Sequence, residues 1–294
     1  MPPPFRKSRS LYFHIMSDLH LEVGHQYAKF HIQPCAPFLV LAEDVGRLND
    51  YDAFRGFLNT QCKQFRKVFL ILGNHEFFGV PRAQGLVLAE RLENEESLKD
   101  GLFVMNRKRV DLAGVTILGC TLQSHVPDDA MAIVAQKIND FRHIGEWTVA
   151  DHNAEHAKDV DWLKKEIRII RQVEDASQRK ILVVTHHAPA VRGTSAPANE
   201  GNPWSSAFST DLLGQHDGSP LDDVQYWVFG HTHYCSESTR GNVRLVSNQR
   251  GYVFPNAKAA TSVAGKTFKV KLGKLIGDTE KVEPSFDPKK VISV

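Results

Sequence analysis

Five short apolar runs, each stopped by residues that can hold a metal or a proton, constrain this chain more than any other feature. Residues 11–16 (LYFHIM) lead into Ser17-Asp18-Leu19-His20, 38–42 (FLVLA) into Glu43-Asp44, and 68–72 (VFLIL) into Gly73-Asn74-His75-Glu76. Residues 181–184 (ILVV) lead into Thr185-His186-His187, and 226–229 (YWVF) into Gly230-His231-Thr232-His233. Runs this short and this apolar read as strands buried on both faces. Open α/β sheets carry their chemistry just past the carboxyl ends of such strands. Neutral imidazole binds metals well when carboxylates converge on the same ion, so the paired histidines of the last run, set beside Asp, Asn and His at the other strand ends, point to metal ligation.

The intervening stretches are helical, turn-like or polar. A helix is expected over 51–65, and another from Pro81 onward, with Leu86, Ala89 and Leu92 at helical spacing. Residues 102–120 change to short β-rich runs punctuated by Asp111 and Gly114, which suggests a hairpin and a second sheet. The longest helix covers 148–173, with Thr148 as its cap. His152 and His156 on it have a zinc-compatible spacing of four, but no Glu follows His152 and Ala154 and Ala157 fill the apolar stripe. Both histidines are therefore expected to face solvent. Residues 192–206, rich in Gly, Pro, Ser and Asn, form a long loop of the kind that becomes a lid or a substrate wall, with Trp204 and Phe208 expected over the strand ends. A further strand is expected over 243–246.

A formal charge of +2 gives no field that would gather nucleic acid, so that partner is not expected. No apolar run approaches the roughly 20 residues needed to span a membrane. The basic residues near the start precede a run that contains His14 and leads into Asp18, so that run reads as a first strand rather than a leader. Cys35, Cys62, Cys120 and Cys235 are far apart and lack metal-binding spacing. No Asn-x-Ser/Thr site occurs. Together these features suggest a cytoplasmic protein. One domain is expected over 1–255, followed by a lysine-rich extension, 256–294, built around a strand at 269–272 and returning an edge strand at 291–294.

The motifs Asp18-x-His20, Asp44, Asn74-His75-Glu76, His186 and His231-x-His233 resemble, in order and content, those of the calcineurin-like metallophosphoesterases. The resemblance spans residue 11 to about residue 255. It implies an α/β fold, a four-layer α/β/β/α sandwich, with two metal ions. Asp18, His20 and His233 would bind the first ion, Asn74, His186 and His231 the second, and Asp44 would bridge them. A bridging carboxylate can hold two cations about 4 Å apart, and two cations acidify a shared water and neutralise a phosphoryl group. Without thiolates, Mn, Fe or Zn, divalent or trivalent, suit the set. The reaction implied is hydrolysis of a small phosphodiester or phosphomonoester by a metal-bridging hydroxide. His75 would protonate the leaving group, with Glu76 orienting its imidazole.

For the substrate, His187 is expected to face the ligand or the Pro189 turn. Arg142 and His143 either bind phosphate or lie on an exposed loop, and Arg250 presents the same alternatives. Protein phosphatases carry further arginine motifs absent here, so a small phosphorylated substrate is favoured. A phosphoesterase fold serving as a metal-binding scaffold with little turnover is the other reading. The chain departs from the family pattern at Glu43, where glycine precedes the bridging aspartate. Strand alternation would turn Glu43 away from Asp44 and the metals.

Overall fold

A computed structural model describes residues 10–173, 179–214, 218–254 and 285–294. The elements in chain order are β1 (Tyr12–Met16), β2 (Phe38–Ala42), α1 (Tyr51–Gln64), β3 (Lys67–Ile71), α2 (Arg82–Asn94), β4 (Leu102–Val104), β5 (Lys108–Leu112) and β6 (Val115–Cys120). They continue with α3 (Met131–Lys137), α4 (Asp140–His143), α5 (Val149–Gln172), β7 (Lys180–Thr185), β8 (Tyr226–Val228), β9 (Ser236–Arg240), β10 (Val243–Ser247) and β11 (Val291–Ser293). The strand expected at 269–272 lies outside the described residues.

Two sheets result. The first has the order β11-β1-β2-β3-β4 and the second β5-β6-β7-β8-β10-β9. Strands β1 to β4 are mutually parallel and β11 closes the β1 edge antiparallel, with Phe13 opposite Ile292. In the second sheet β6, β7, β8 and β10 are parallel, while β5 and β9 are antiparallel edges. The chain thus changes sheet after β4, which is why 102–120 contains both an edge strand of one sheet and the first hairpin of the other.

Alternation along each strand explains the layering. Val40, Phe69 and Ile71 point inward to meet Ile117, Leu182, Val184 and Val228 between the sheets. Their neighbours Leu39, Leu41 and Leu70 point outward onto Phe54, Leu58 and Leu92 of α1 and α2. Ile181 and Val183 meet Leu163, Ile167 and Ile170 of α5 on the opposite face. Both faces of the central strands are covered, so they read as unbroken apolar runs. Helix α5 begins with a capping box in which Thr148 accepts from the Asp151 N–H and Asp151 accepts from the Thr148 N–H. Among the described residues no helix is long and apolar enough to cross a membrane.

The buried stripe of α5 differs from the expected one. Val149, His152, His156, Asp159, Val160 and Leu163 face inward, whereas Ala154 and Ala157 are exposed. His152 Nε2 accepts from the Ser124 N–H (3.1 Å), and His156 Nδ1 lies 3.0 Å from the Gln123 carbonyl. The two histidines are buried polar pins for the 121–124 turn, not solvent-facing residues. Polar side chains that satisfy loop backbone are better placed under that turn than alanine.

Candidate metal centre

The parallel strands β1, β2, β3, β7 and β8 end at one edge, and their following residues leave strand geometry abruptly. Asp18 (φ 51°), His20 (46°), Asp44 (43°), His231 (70°) and His233 (50°) all adopt the left-handed conformation, as does Glu43 (83°). Each such residue costs on the order of 1–3 kcal/mol, and strain of this kind gathers at functional sites. Hydrogen bonds between neighbouring strand ends maintain it: the N–H of Asp18 donates to Glu43 O (3.0 Å) and that of His20 to Asp44 O (2.8 Å). The N–H of His231 donates to Asp18 Oδ1 (3.0 Å) and that of His75 to Asp44 Oδ1 (3.0 Å). Glycine is required where these turns converge. A Cβ on Gly73 would collide with Asp44 Oδ1, and one on Gly230 with Glu43 Oε2.

The side chains form two adjoining groups. In the shallower one, His20 Nε2 lies 2.9 Å from His233 Nε2, and Asp18 Oδ1 lies 3.5 Å from the same His233 nitrogen. In the deeper one, His186 Nε2 lies 2.7 Å from Asn74 Oδ1, and the buried His231 Nε2 has no partner among the described residues. Asp44 stands between them, with Oδ2 4.0 Å from His20 Nε2 and Oδ1 3.9 Å from His186 Nε2.

This donor set fits cations. Ring nitrogens facing each other at 2.9 Å, a buried unpartnered imidazole nitrogen and several buried carboxylates share a need for positive charge. Burial raises the Asp18 carboxyl to about 6. Burial, followed by repulsion from Glu76 and Asp18, raises Asp44 well above its ordinary range. Burial lowers His233 to about 4, which favours the neutral imidazole that metal ligation needs.

The sequence profile of calcineurin-like phosphoesterases matches residues 11–235. The chain belongs to that family. It is a metal-dependent phosphoric ester hydrolase. Uncharacterized protein L509 of Acanthamoeba polyphaga mimivirus is 24% identical over 235 residues, covering 73% of this chain and 78% of that protein. The crystal structure of phosphopantetheinyl hydrolase (PptH) from Mycobacterium tuberculosis superposes with a TM-score of 0.59 at 17% identity, covering 87% of this chain and all of that one. The shared fold is the two-sheet sandwich with flanking helices.

Behind this cluster the phosphoesterase carries carboxylates that orient Asn74, His186 and His20. Asn74 Nδ2 donates to Asp140 Oδ1 (2.6 Å), which turns the Asn74 carbonyl toward His186. His186 Nδ1 lies 3.0 Å from Glu43 Oε2. Glu43 is therefore not turned away harmlessly, as strand alternation suggested. Its left-handed backbone breaks that alternation and drives a fully buried carboxylate into the back of His186.

Glu22 lies 3.2 Å from His20 Nδ1 and 2.9 Å from His75 Nδ1. Burial opposes its ionisation, yet these two imidazole contacts hold its carboxyl down at about 2. Glu22 thus has the place next to His75 that was expected of Glu76. Glu76 instead accepts from the backbone N–H groups of Asp44, Val45 and Gly73 (3.1, 2.8 and 2.7 Å) and ties two strand ends together. Glu22 follows His20 by two residues, a spacing that marks it only in hindsight. Asp140, on α4 and remote in sequence from Asn74, left no local signal.

His75 Nε2 meets the Tyr252 hydroxyl at 3.0 Å, and its ring packs on Phe78 and His20. The Tyr252 ring covers His20 and His233, with centroids 4.2 and 4.8 Å away. Sequence reading gave Tyr252 no role.

The residues expected to bind substrate separate from one another. His187 is completely buried, its ring packed against His152, His186 and His231, and neither of its ring nitrogens has a partner among the described residues. Arg250 donates to Leu19 O (2.9 Å) and Gln26 Oε1 (2.8 Å) and lies over Phe30, contacts that engage its guanidinium. Arg142 is exposed and donates to Gln136 O. His143 is exposed and packs on Phe78, the ring that backs His75. Trp204 lines a cavity of about 170 Å³ together with Phe208, and Phe208 stacks on His231 at 4.7 Å.

Proposed function

We propose that this phosphoesterase hydrolyses a small phosphomonoester or phosphodiester at a dinuclear centre, in which Asp18, His20 and His233 hold one ion, Asn74, His186 and His231 hold the other, and Asp44 is shared. The observation that carries the reading is the position of Asp44, whose two oxygens face His20 and His186 at 4.0 and 3.9 Å. When bound, the ions supply Lewis-acid neutralisation of the phosphoryl group and activation of the attacking water. Oxygen and nitrogen donors without thiolates suit Mn, Fe or Zn.

The remaining chemistry belongs to the chain. His75, which Glu22 holds through Nδ1, gives a proton from Nε2 to the leaving oxygen once the Tyr252 hydroxyl yields that position. Glu43 and Asp140 keep His186 and Asn74 aimed, as carboxylates behind metal ligands do. His143, beside Phe78, is the better placed of the two α4 residues to meet substrate. The four unpaired cysteines support a reducing compartment, and we place the protein in the cytoplasm. We take 256–294 as an extension whose last strand, β11, anchors it on β1.

The test is to strip the protein, reload it separately with Mn, Fe and Zn, and assay aryl phosphate mono- and diesters beside elemental analysis. Two equivalents per chain and metal-dependent turnover are expected. Saturation at one equivalent would refute the dinuclear centre, and equal turnover by stripped protein would refute the mechanism.

A further inference from the structure

The cavity beneath the 192–208 loop adjoins the deeper ligand group. Phe208 stacks on His231, and the cavity wall includes Thr232, the residue between His231 and His233. Its distance from the strand ends is set by backbone pairing: the Ala188 N–H donates to Phe208 O (3.2 Å) and the Thr210 N–H to Ala188 O (3.1 Å), two residues past His186.

The lining has a definite chemical character. Trp204, Phe208 and Val191 supply apolar faces. Ser195, Asn199 and Ser209 also line it, and their side chains have no hydrogen-bond partner among the described residues. Thr232, in contrast, is engaged, its hydroxyl donating to Thr194 O at 2.7 Å. No lysine or arginine lines the cavity among the described residues, and its charged member is Glu200, which accepts from the Gly193 N–H (2.7 Å). Lys137 Nζ lies 6.0 Å from the Trp204 ring centroid but is not part of the wall. A second phosphate placed here would meet a carboxylate and aromatic faces with no cation to pair with, and burying an unpaired anion is costly. An uncharged group with an apolar body and a few hydroxyl or amide functions would match both kinds of wall, the usual make-up of a small-molecule pocket.

We propose that this cavity is the subsite for the organic part of the phosphorylated substrate, and that it takes an uncharged, hydroxyl- or amide-bearing group rather than a further phosphate. The proposal rests on the phosphoesterase reading above and deepens it. Such a group can be flat, as in a nucleoside, or linear, as in a hydroxy-amide.

Two probes separate these sources: uridine 5′-monophosphate and N-acetylethanolamine phosphate, compared with methyl phosphate and pyrophosphate. The kcat/KM of at least one organic ester should exceed that of methyl phosphate by tenfold or more. That ratio should fall at least tenfold in Trp204→Ala and in Ser195→Phe, which fills the cavity without removing an aromatic wall. Independently of turnover, the corresponding free alcohol, uridine or N-acetylethanolamine, should bind metal-stripped protein by calorimetry, and at least tenfold more weakly in both variants. A preference for pyrophosphate, or ratios and alcohol binding unchanged in both variants, would overturn the subsite while leaving the enzyme intact. Alcohol binding that responds to the variants in a protein that hydrolyses none of the four esters would sustain the subsite and overturn the enzymatic reading.

Discussion

The two halves of the donor cluster each set two histidines beside one oxygen donor, a carboxylate from Asp18 in one and the amide carbonyl of Asn74 in the other, and they differ in exposure at His233 and His186. In the shallower half the His233 side chain is 30% exposed, and the exposed Tyr252 covers the rings. In the deeper half the side chains of His186 and its supporting Glu43 are completely buried, and His187 fills the space behind. Their supporting carboxylates differ as well. Glu22 serves both a proposed ligand, His20, and the proposed acid, His75, whereas Glu43 and Asp140 serve ligands alone. The proposed function accordingly assigns solvent exchange and proton transfer to the side of His233 and His75, and fixed ligand geometry to His186 with Glu43 behind it.

Three substitutions test that division, and the most severe acts on both halves. Asp44→Asn removes the charge shared between them. Elemental analysis should show both equivalents lost and turnover reduced to the level of stripped protein. Retention of two ions would mean that the halves bind independently.

His75→Ala acts on the proton chemistry of the shallow half. It should retain both ions yet lose about 10²- to 10⁴-fold in rate on esters with poor leaving groups, the usual worth of general acid catalysis. Activated aryl esters should suffer less. Equal losses on both substrates, or loss of metal, would make His75 a packing residue.

The smallest effect belongs to the deep half. Glu43→Gln keeps the volume but weakens the contact behind His186, and should lower metal affinity or activity about 10- to 100-fold, as other losses behind metal ligands do. Titration should show one of the two ions weakened and the other kept. Equal weakening of both would dissolve the distinction between the halves.

The proposed ligands were legible in the sequence because each terminates an apolar run, and parallel strands bring such ends to one edge. Their supports were not. Asp140 meets Asn74 across 66 positions of chain and Glu43 meets His186 across 143, and no local pattern records approaches of that span. Strand alternation failed at Glu43 because it presumes extended backbone, and Glu43 has left that region. The packing of Arg250 and His187 was equally hidden from the sequence. The match of a guanidinium to phosphate and the place of His187 beside a strand-end histidine suggested a substrate role, whereas Arg250 lies over Phe30 and three histidine rings surround His187.

The apolar runs and the polar residues that end them already determine the buried strands and the candidate donors past their carboxyl ends, since periodicity and parallel packing place both, while the two-sheet sandwich and the proposed ligand set came from the family resemblance. Which carboxylate backs which imidazole, which histidines are sealed in, and which aromatic rings cover His20, His75 and His231 follow only from the assembled molecule. Those relations depend on hydrogen bonds and ring contacts a few ångströms long between segments that only folding brings together.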